Sequence, residues 1–307
     1  MRTIRTVSEL RAAVSPTRRS GATLGLVPTM GALHEGHLSL VRRARRECQN
    51  VVVSLFVNPS QFNEANDLAA YPRDEERDRA LAAEAGADLL FAPAAREIYP
   101  PGFCTSIQVS GLDHMLEGEI RGPEHFRGVA TVVLKLLNIV GPDRAYFGQK
   151  DAQQAALIGR LTTDLNVPVE IVVCPTVREG DGLAMSSRNA RLTTEQREHA
   201  VALSRGLTFA ERAVAGGERS AAVLLETARD AMLELGVTPE YLALVDPHSL
   251  TAVQLLTGPA LLAVAARLGA TRLIDNTILD PARPFAEAHQ EPRLVTGGVP
   301  SAPLACS

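Results

Sequence analysis

Between residues 23 and 174 the chain keeps one rhythm: a short apolar run, a polar turn, a stretch with helical spacing, then another apolar run. Strands separated by helices are joined by right-handed crossovers, and the product is a parallel sheet covered on both faces. The spacing predicts strands over 23–28, 51–57, 88–92, 144–147 and 169–173, with helices over 36–49, 74–85, 126–140 and 153–161 between them. Gly86 supplies the left-handed stop for the second of those helices. Ahead of them, Val7, Leu10 and Val14 share one face of a first helix. Leu38, Val41, Ala44 and Cys48 form the apolar stripe of the helix over 36–49, leaving Arg42, Arg43, Arg45 and Arg46 mostly to solvent.

The texture changes at Pro175. A polar loop, TVREGDGLAMSSRN, leads to helical stretches over 194–215 and 220–235, then to strand candidates over 241–245, 261–265 and 272–275. Helices followed by closely spaced strands suggest a smaller α+β unit. The expected architecture is therefore α/β: a Rossmann-like, doubly wound parallel sheet over 1–174 and an α+β C-terminal lid over 175–282. The segment 283–307 is rich in Pro, Gly and Ser without periodicity and reads as a disordered tail.

Composition narrows the function. With 31 basic and 35 acidic residues among 307, the net charge of −4 gives no general electrostatic reason to bind nucleic acid or a membrane surface. Any anion must be held by a local cluster. Cys48, Cys104, Cys174 and Cys306 contain no C-x-x-C pair, which argues against a zinc knuckle or disulfide framework and fits a cytoplasmic protein. The Arg-rich N-terminus lacks an apolar signal region, and no apolar stretch is long enough to span a bilayer.

The chemistry is concentrated in four loops. After the first apolar run comes PTMGALHEGH, with His34 and His37 placed where a helix begins. Ligands of open parallel sheets sit beyond the carboxyl ends of the strands, and a helix N-terminus there offers free N–H groups to phosphate. Two imidazoles in an H-x-G-H can aim N–H donors at the same phosphates, which points to nucleotidyl transfer. There is no third metal ligand beside the pair and no G-x-G-x-x-G, so neither a zinc site nor a dinucleotide oxidoreductase is indicated. The second strand ends in VNPSQF, which delivers Gln61 to the same sheet edge. Further on, FGQKDAQQ places Lys150 at a strand end, with Asp151 as candidate cap and Gln153 and Gln154 in the following turn. The fourth loop, AMSSRN, carries two hydroxyls and Arg188 between the two units.

Taken together these loops resemble the pantoate–β-alanine ligase family, within the nucleotidyltransferases that include class I aminoacyl-tRNA synthetases. DLAAYPR, HFRGVATVVLKLLNIV, YLALVDP and LAVAARLGATRLIDN extend the match from about residue 3 to 276. The resemblance implies ATP-dependent condensation of pantoate with β-alanine through a pantoyl adenylate, in a Rossmann-like fold with a lid, as a homodimer. It implies ATP contacts at Met30, Gly31, Ala32, Leu33, His34, Glu35, Gly36 and His37. Gly148, Gln149, Lys150, Asp151, Val177, Met185, Ser186, Ser187 and Arg188 complete that set. It further implies His37, as proton donor, with His34, Lys150 and Arg188 as the catalytic group, and Gln61 and Gln154 as the holders of pantoate, with Gln61 also near β-alanine. Mg2+ would accompany ATP, its protein ligands unassigned, with Asp78 as one candidate.

Two other readings stay open on sequence alone: a nucleotidyl transferase with a different acceptor, and a silent nucleotide-binding protein on the same scaffold. The latter would be expected to have lost some of His34, His37, Lys150 or Arg188. Two departures from the family pattern stand out. Arg121-Gly122-Pro123-Glu124-His125-Phe126 carries one residue more than the usual R-P-x-H-F, and Ala152 stands where an aromatic is common.

Overall fold

In a computed structural model describing residues 1–62, 68–69 and 71–283, the strand–helix rhythm becomes a parallel sheet. Among the described residues its strands are β1 (Arg2–Ile4), β2 (Leu24–Thr29), β3 (Asn50–Leu55), β4 (Leu89–Phe91), β5 (Arg144–Gly148) and β6 (Glu170–Cys174). They lie in the order β1-β4-β3-β2-β5-β6, every pair parallel. Successive residues of a strand face opposite sides, and here both sides are dry. Leu24 and Leu26 join one core with Leu10 and Val14 of α1 (Val7–Arg19). Val27, Val51 and Val53 join another with Val41 and Ala44 of α2 (Glu35–Glu47) and Ala82 of α3 (Glu75–Glu84). Gly86, at φ +105°, follows α3 as expected.

The remaining helices are α4 (Ala95–Ile98), α5 (Glu117–Arg121), α6 (Pro123–Val140), α7 (Ala152–Asp164), α8 (Thr194–Ala200), α9 (Ala202–Ala215) and α10 (Ala221–Leu233). β7 (Pro239–Val245), β8 (Ala260–Leu268) and β9 (Thr271–Leu279) form a second, antiparallel sheet. Leu262 and Val264 pack with Leu207 of α9 and Leu224 of α10. Their neighbours Leu261 and Ala263 point the other way, into the core shared with α6. The small sheet is thus filled on both faces, and one face is part of the larger unit's core.

Several expectations need correction. β1 was not foreseen, because three residues carry too little pattern. The helix expected over 194–215 divides at Val201, where ψ opens to −13°. The α2 arginines do not simply face solvent: Arg42 pairs with Glu35, Arg43 with Glu47, and Arg45 reaches Asp88 at 2.8 Å. The tail from residue 284 onward, including Cys306, and residues 63–67 and 70 lie outside the described residues.

The order of the strands locates the site. From β2 the chain moves outward through β3 and β4, then returns to place β5 on the other side of β2. Such a reversal leaves a crevice at the carboxyl ends of β2 and β5, where open α/β sheets bind ligands. PTMGALHEGH leaves β2, and FGQKD leaves β5.

Candidate functional site

The loop leaving β2 is held in an uncommon backbone conformation. Gly31 and Ala32 have φ of +92° and +53°. Asp78 of α3, only 1% exposed, accepts hydrogen bonds from Ala32 N and Leu33 N at 2.8 Å each. Asp78 therefore braces the loop with both carboxylate oxygens, which replaces its candidacy as a metal ligand. His34 occupies the N-cap of α2, and its Nδ1 accepts from Gly36 N at 3.2 Å. His34 N in turn donates to His37 Nδ1 at 3.4 Å. Since backbone N–H groups only donate, each Nδ1 carries a lone pair, and each neutral ring bears its proton on Nε2.

Burial favours the neutral form of both rings. Burial, followed by the adjacent His34 ring, holds His37 down to about 3. Burial and then the charge of Lys150 lower His34 as well. The ring centroids are 4.1 Å apart, so this is a pair of N–H donors rather than a pair of cations. Glu35 lies between them in sequence, but its carboxylate turns outward to Arg42.

Beyond β3, Asn58 is 1% exposed and organises the short turn Pro59–Gln61. Its amide donates to Gly128 O at 3.1 Å and to Gln61 Oε1 at 3.0 Å, and its Oδ1 accepts from Tyr99 Oη at 2.8 Å. Gln61 Nε2 meets Met30 Sδ at 2.9 Å, which ties this turn to the loop from β2. Gly128 is required here: a Cβ at that position would overlap Ser60 O and lie 2.9 Å from Gln61 N.

From β5 the turn Gln149–Asp151 carries Lys150, whose side chain is 17% exposed and stands 3.8 Å from Asp151 Oδ1. Asp151 occupies the N-cap of α7 but makes no side-chain cap bond, contrary to expectation. The turn is held from the small sheet. Asn276 of β9 donates to Gln149 O at 2.9 Å and to Lys150 O at 3.0 Å. Gln153 faces inward, accepting from Glu117 N at 3.0 Å and donating to Leu112 O and Met115 O at 2.7 Å each. Gln154, one residue on, faces the cleft.

The fourth loop closes as a hairpin-like return. Met185 N donates to Val177 O at 2.9 Å, and Ser186 Oγ accepts from Arg188 N at 3.2 Å. It approaches the histidine loop closely, since a Cβ on Gly36 would be 3.8 Å from Met185 Cβ. Arg178 and Asp275 lock the hairpin to β9 through a bidentate pair at 2.6 and 3.1 Å.

A cleft of about 120 Å³ brings together Met30, Gln61, Lys150, Asp151, Gln154 and Arg188 from all four loops. His34 and His37 do not line it. They adjoin it through Lys150 and Asp151, whose charges reach both rings. A larger hollow, about 1040 Å³, lies between residues 106–112 and α7 and contains neither histidine nor Lys150. Volume alone would point away from the four loops. Ala152, the departure from the aromatic pattern, borders both spaces.

Residues 2–278 match the family described as pantoate–β-alanine ligase. The chain belongs to the pantoate–β-alanine ligase family. A pantothenate synthetase from Moorella thermoacetica is 53% identical over 285 residues, covering 91% of this chain and 99% of that relative. The crystal structure of pantothenate synthetase from Thermus thermophilus superposes with a TM-score of 0.84 at 49% identity, covering 90% of this chain and 98% of that one. A pantoate–β-alanine ligase from Francisella tularensis, crystallised with beta-gamma ATP and β-alanine, gives 0.74 at 35% identity, covering 92% and 100%. Ligation of pantoate to β-alanine is accordingly the activity of this family member.

Sequence reasoning passed over Asn58 and Asn276, which hold the loops, and Glu117, His125 and Tyr241, which line the cleft. Asn58 and Asn276 were legible only as letters in VNPSQF and LIDN. Their importance lies in which backbone carbonyls they reach, and no spacing rule reveals that. Among the described residues no cluster of three or more His, Cys, Asp or Glu forms a metal cage, and no helix is long and apolar enough to cross a membrane.

Proposed function

We propose that this cleft performs the ligation in two steps on Mg-ATP, by way of a pantoyl adenylate. In the first, a pantoate carboxylate oxygen attacks the α-phosphorus and the bond to pyrophosphate breaks. In the second, the β-alanine amine attacks the acyl carbon. The C–N bond forms, the acyl C–O bond breaks with its electron pair leaving on AMP, and the nitrogen releases its proton. No covalent enzyme intermediate is needed, so positioning and phosphate-charge stabilisation carry the rate.

The observation carrying this reading is the convergence of Lys150 and Arg188 with Gln61 and Gln154, beside two neutral imidazoles that each keep an Nε2–H donor. His34 and His37 donate to phosphate oxygens, with His37 acting as a hydrogen-bond donor rather than an imidazolium acid. Lys150 and Arg188 balance the charge on the leaving pyrophosphate. The backbone of residues 30–37, 148–151, 177 and 185–188 cradles ATP, and Gln61 and Gln154 bind the pantoate hydroxyls. The crystallisation of the Francisella relative with beta-gamma ATP and β-alanine supports ATP and β-alanine as ligands. Magnesium arrives on the triphosphate, and the described residues offer it no enclosed protein site.

Residues 175–282 act as the lid over 1–174, carrying Arg188 and the Asn276 brace. The protein works in the cytoplasm, where ATP is supplied, and as a homodimer. The dimer is what the resemblance to the family implies. Sedimentation should give twice the chain mass, and a monomer at micromolar concentration would rule the dimer out. The catalytic reading is tested by rapid mixing with Mg-ATP and pantoate. One equivalent of pyrophosphate per site is expected before β-alanine is added, followed by steady AMP release afterwards. Pyrophosphate only in the presence of amine would contradict the two-step order.

A further inference from the structure

Hydrogen bonds behind the cleft run in one direction across three neighbouring strand ends. Tyr99 follows α4 on the way out of β4, Asn58 and Gln61 follow β3, and Met30 follows β2. The strands lie in the order β4-β3-β2, so the three exits stand side by side. Tyr99 Oη donates to Asn58 Oδ1 at 2.8 Å, Asn58 Nδ2 to Gln61 Oε1 at 3.0 Å, and Gln61 Nε2 to Met30 Sδ at 2.9 Å. Each amide in the series accepts on the side of Tyr99 and donates on the side of Met30.

That direction is imposed by the backbone. Gly128 O can only accept, so the nitrogen of the Asn58 amide must face it, at 3.1 Å. Ser60 N can only donate, and it meets Asn58 Oδ1 at 3.4 Å. With Asn58 fixed at both ends, Gln61 has to turn its oxygen toward Asn58 Nδ2, since a flipped amide would set two donors against each other. The Gln61 nitrogen therefore points at the loop that leaves β2. A thioether is a weak acceptor, which leaves that amide able to donate to a better one. Met30 and Gln61 both line the cleft, where the better acceptor is a substrate oxygen.

Tyr99 stands at the far end of the series and does not itself line the cleft. Asn58 is 1% exposed, so its Oδ1 is served from within the protein, by Ser60 N, by Ser60 Oγ at 2.9 Å and by Tyr99 Oη. The Tyr99 ring sits edge-on to Phe103 with centroids 5.1 Å apart, and 6.2 Å from Phe56. Burial raises the phenol above its usual value of 10, so the proton stays on Oη through the working range.

We propose that Tyr99 is a positioning residue for pantoate: through Asn58 it keeps the Gln61 amide turned with its nitrogen toward the substrate. This rests on the reading of Gln61 as a pantoate ligand given above. Hydrogen-bonded groups in series polarise one another, so the Tyr99 proton also makes the last N–H a better donor.

The test follows the rate of the pyrophosphate burst with Mg-ATP as pantoate is varied, in wild type, Tyr99→Phe, Gln61→Ala and the double variant. Tyr99→Phe keeps the ring and removes one neutral hydrogen bond, so the pantoate concentration at half-maximal rate should rise about 3- to 10-fold. The maximal rate and the ATP dependence should stay within about two-fold, as expected when only ground-state binding is lost. In the Gln61→Ala background the same change should do almost nothing, because the amide it acts on is gone. Ser60→Ala takes the other hydroxyl from Asn58 Oδ1 at an exposed position and should give the same pantoate-only rise. That variant keeps the idea falsifiable if Tyr99→Phe folds poorly. Unchanged pantoate dependence in Tyr99→Phe, equal fold-losses with and without Gln61, or a matching loss of ATP affinity would overturn the role of Tyr99. A Gln61→Ala protein with wild-type pantoate dependence would instead sink the reading of Gln61 itself, so the two failures are distinguishable.

Discussion

At the scale of single residues, the site depends on which imidazole nitrogen holds the proton. His34 and His37 share a tautomer because backbone N–H groups occupy their Nδ1 atoms. With His37 down at about 3, the role we propose for it is that of a fixed dipole aimed at phosphate. Replacing it by Ala should slow adenylation by about 100- to 1000-fold, the usual cost of losing one preorganised donor, with little change in Tm. The pyrophosphate burst rate measures this directly, and a near-normal rate at saturating ATP would remove His37 from the mechanism. The residue types of this loop were legible from H-x-G-H. Their tautomers were not, because these depend on backbone positions that only folding creates.

Among elements, the sharpest dependence is the contact between α6 and the Pro59–Gln61 turn. Gly128 is the point of closest approach, and its missing side chain is what allows Gln61 to reach the cleft. Gly128→Ala should push the turn away, raising KM for pantoate several-fold and costing about 1–3 kcal/mol of stability through overpacking. Steady-state kinetics with a thermal melt would show both changes together, and a variant unchanged in both would mean the contact is not needed. HFRGVATVVLKLLNIV implied a helix from its spacing, and the structure has one. That its glycine serves another loop, far earlier in the chain, was invisible, since periodicity describes a helix's own faces and not what crosses them. Asp78 teaches the same lesson. It stood as one candidate for magnesium, and the fold uses both of its oxygens to hold the loop that leaves β2.

Across the whole molecule, the alternating pattern led to the right class of sheet because fully buried strands leave few other solutions. The β2–β5 switch point then determined where the four loops meet. Less legible was the second sheet's hold on the first: Asn276, Arg272, Tyr241 and Asp275 all brace the site from β7 and β9. These ties carry a pH signature. His37 and His125 take up protons in the folded protein only near 3 and 4, against 6.5 for the free group. The unfolded chain therefore binds more protons between those limits, and stability should be full above about 6.5 and decline as pH falls toward 4. Glu117, at about 2 against 4.5, adds stability above 4.5 that is lost on going toward 2. Tm measured from pH 8 down to pH 4 should fall once the pH drops below about 6.5, and His125→Asn should flatten part of that slope. A Tm that held constant over this range would contradict the buried neutral histidines.

The central claim is that pantoate passes through an acyl adenylate in this cleft, and isotope transfer tests it most directly. Pantoate carrying 18O in both carboxylate oxygens should yield AMP with one labelled oxygen per turnover, because the bond that breaks in the second step joins the acyl carbon to that oxygen. Unlabelled AMP, or label appearing in inorganic phosphate beside ADP, would contradict the account.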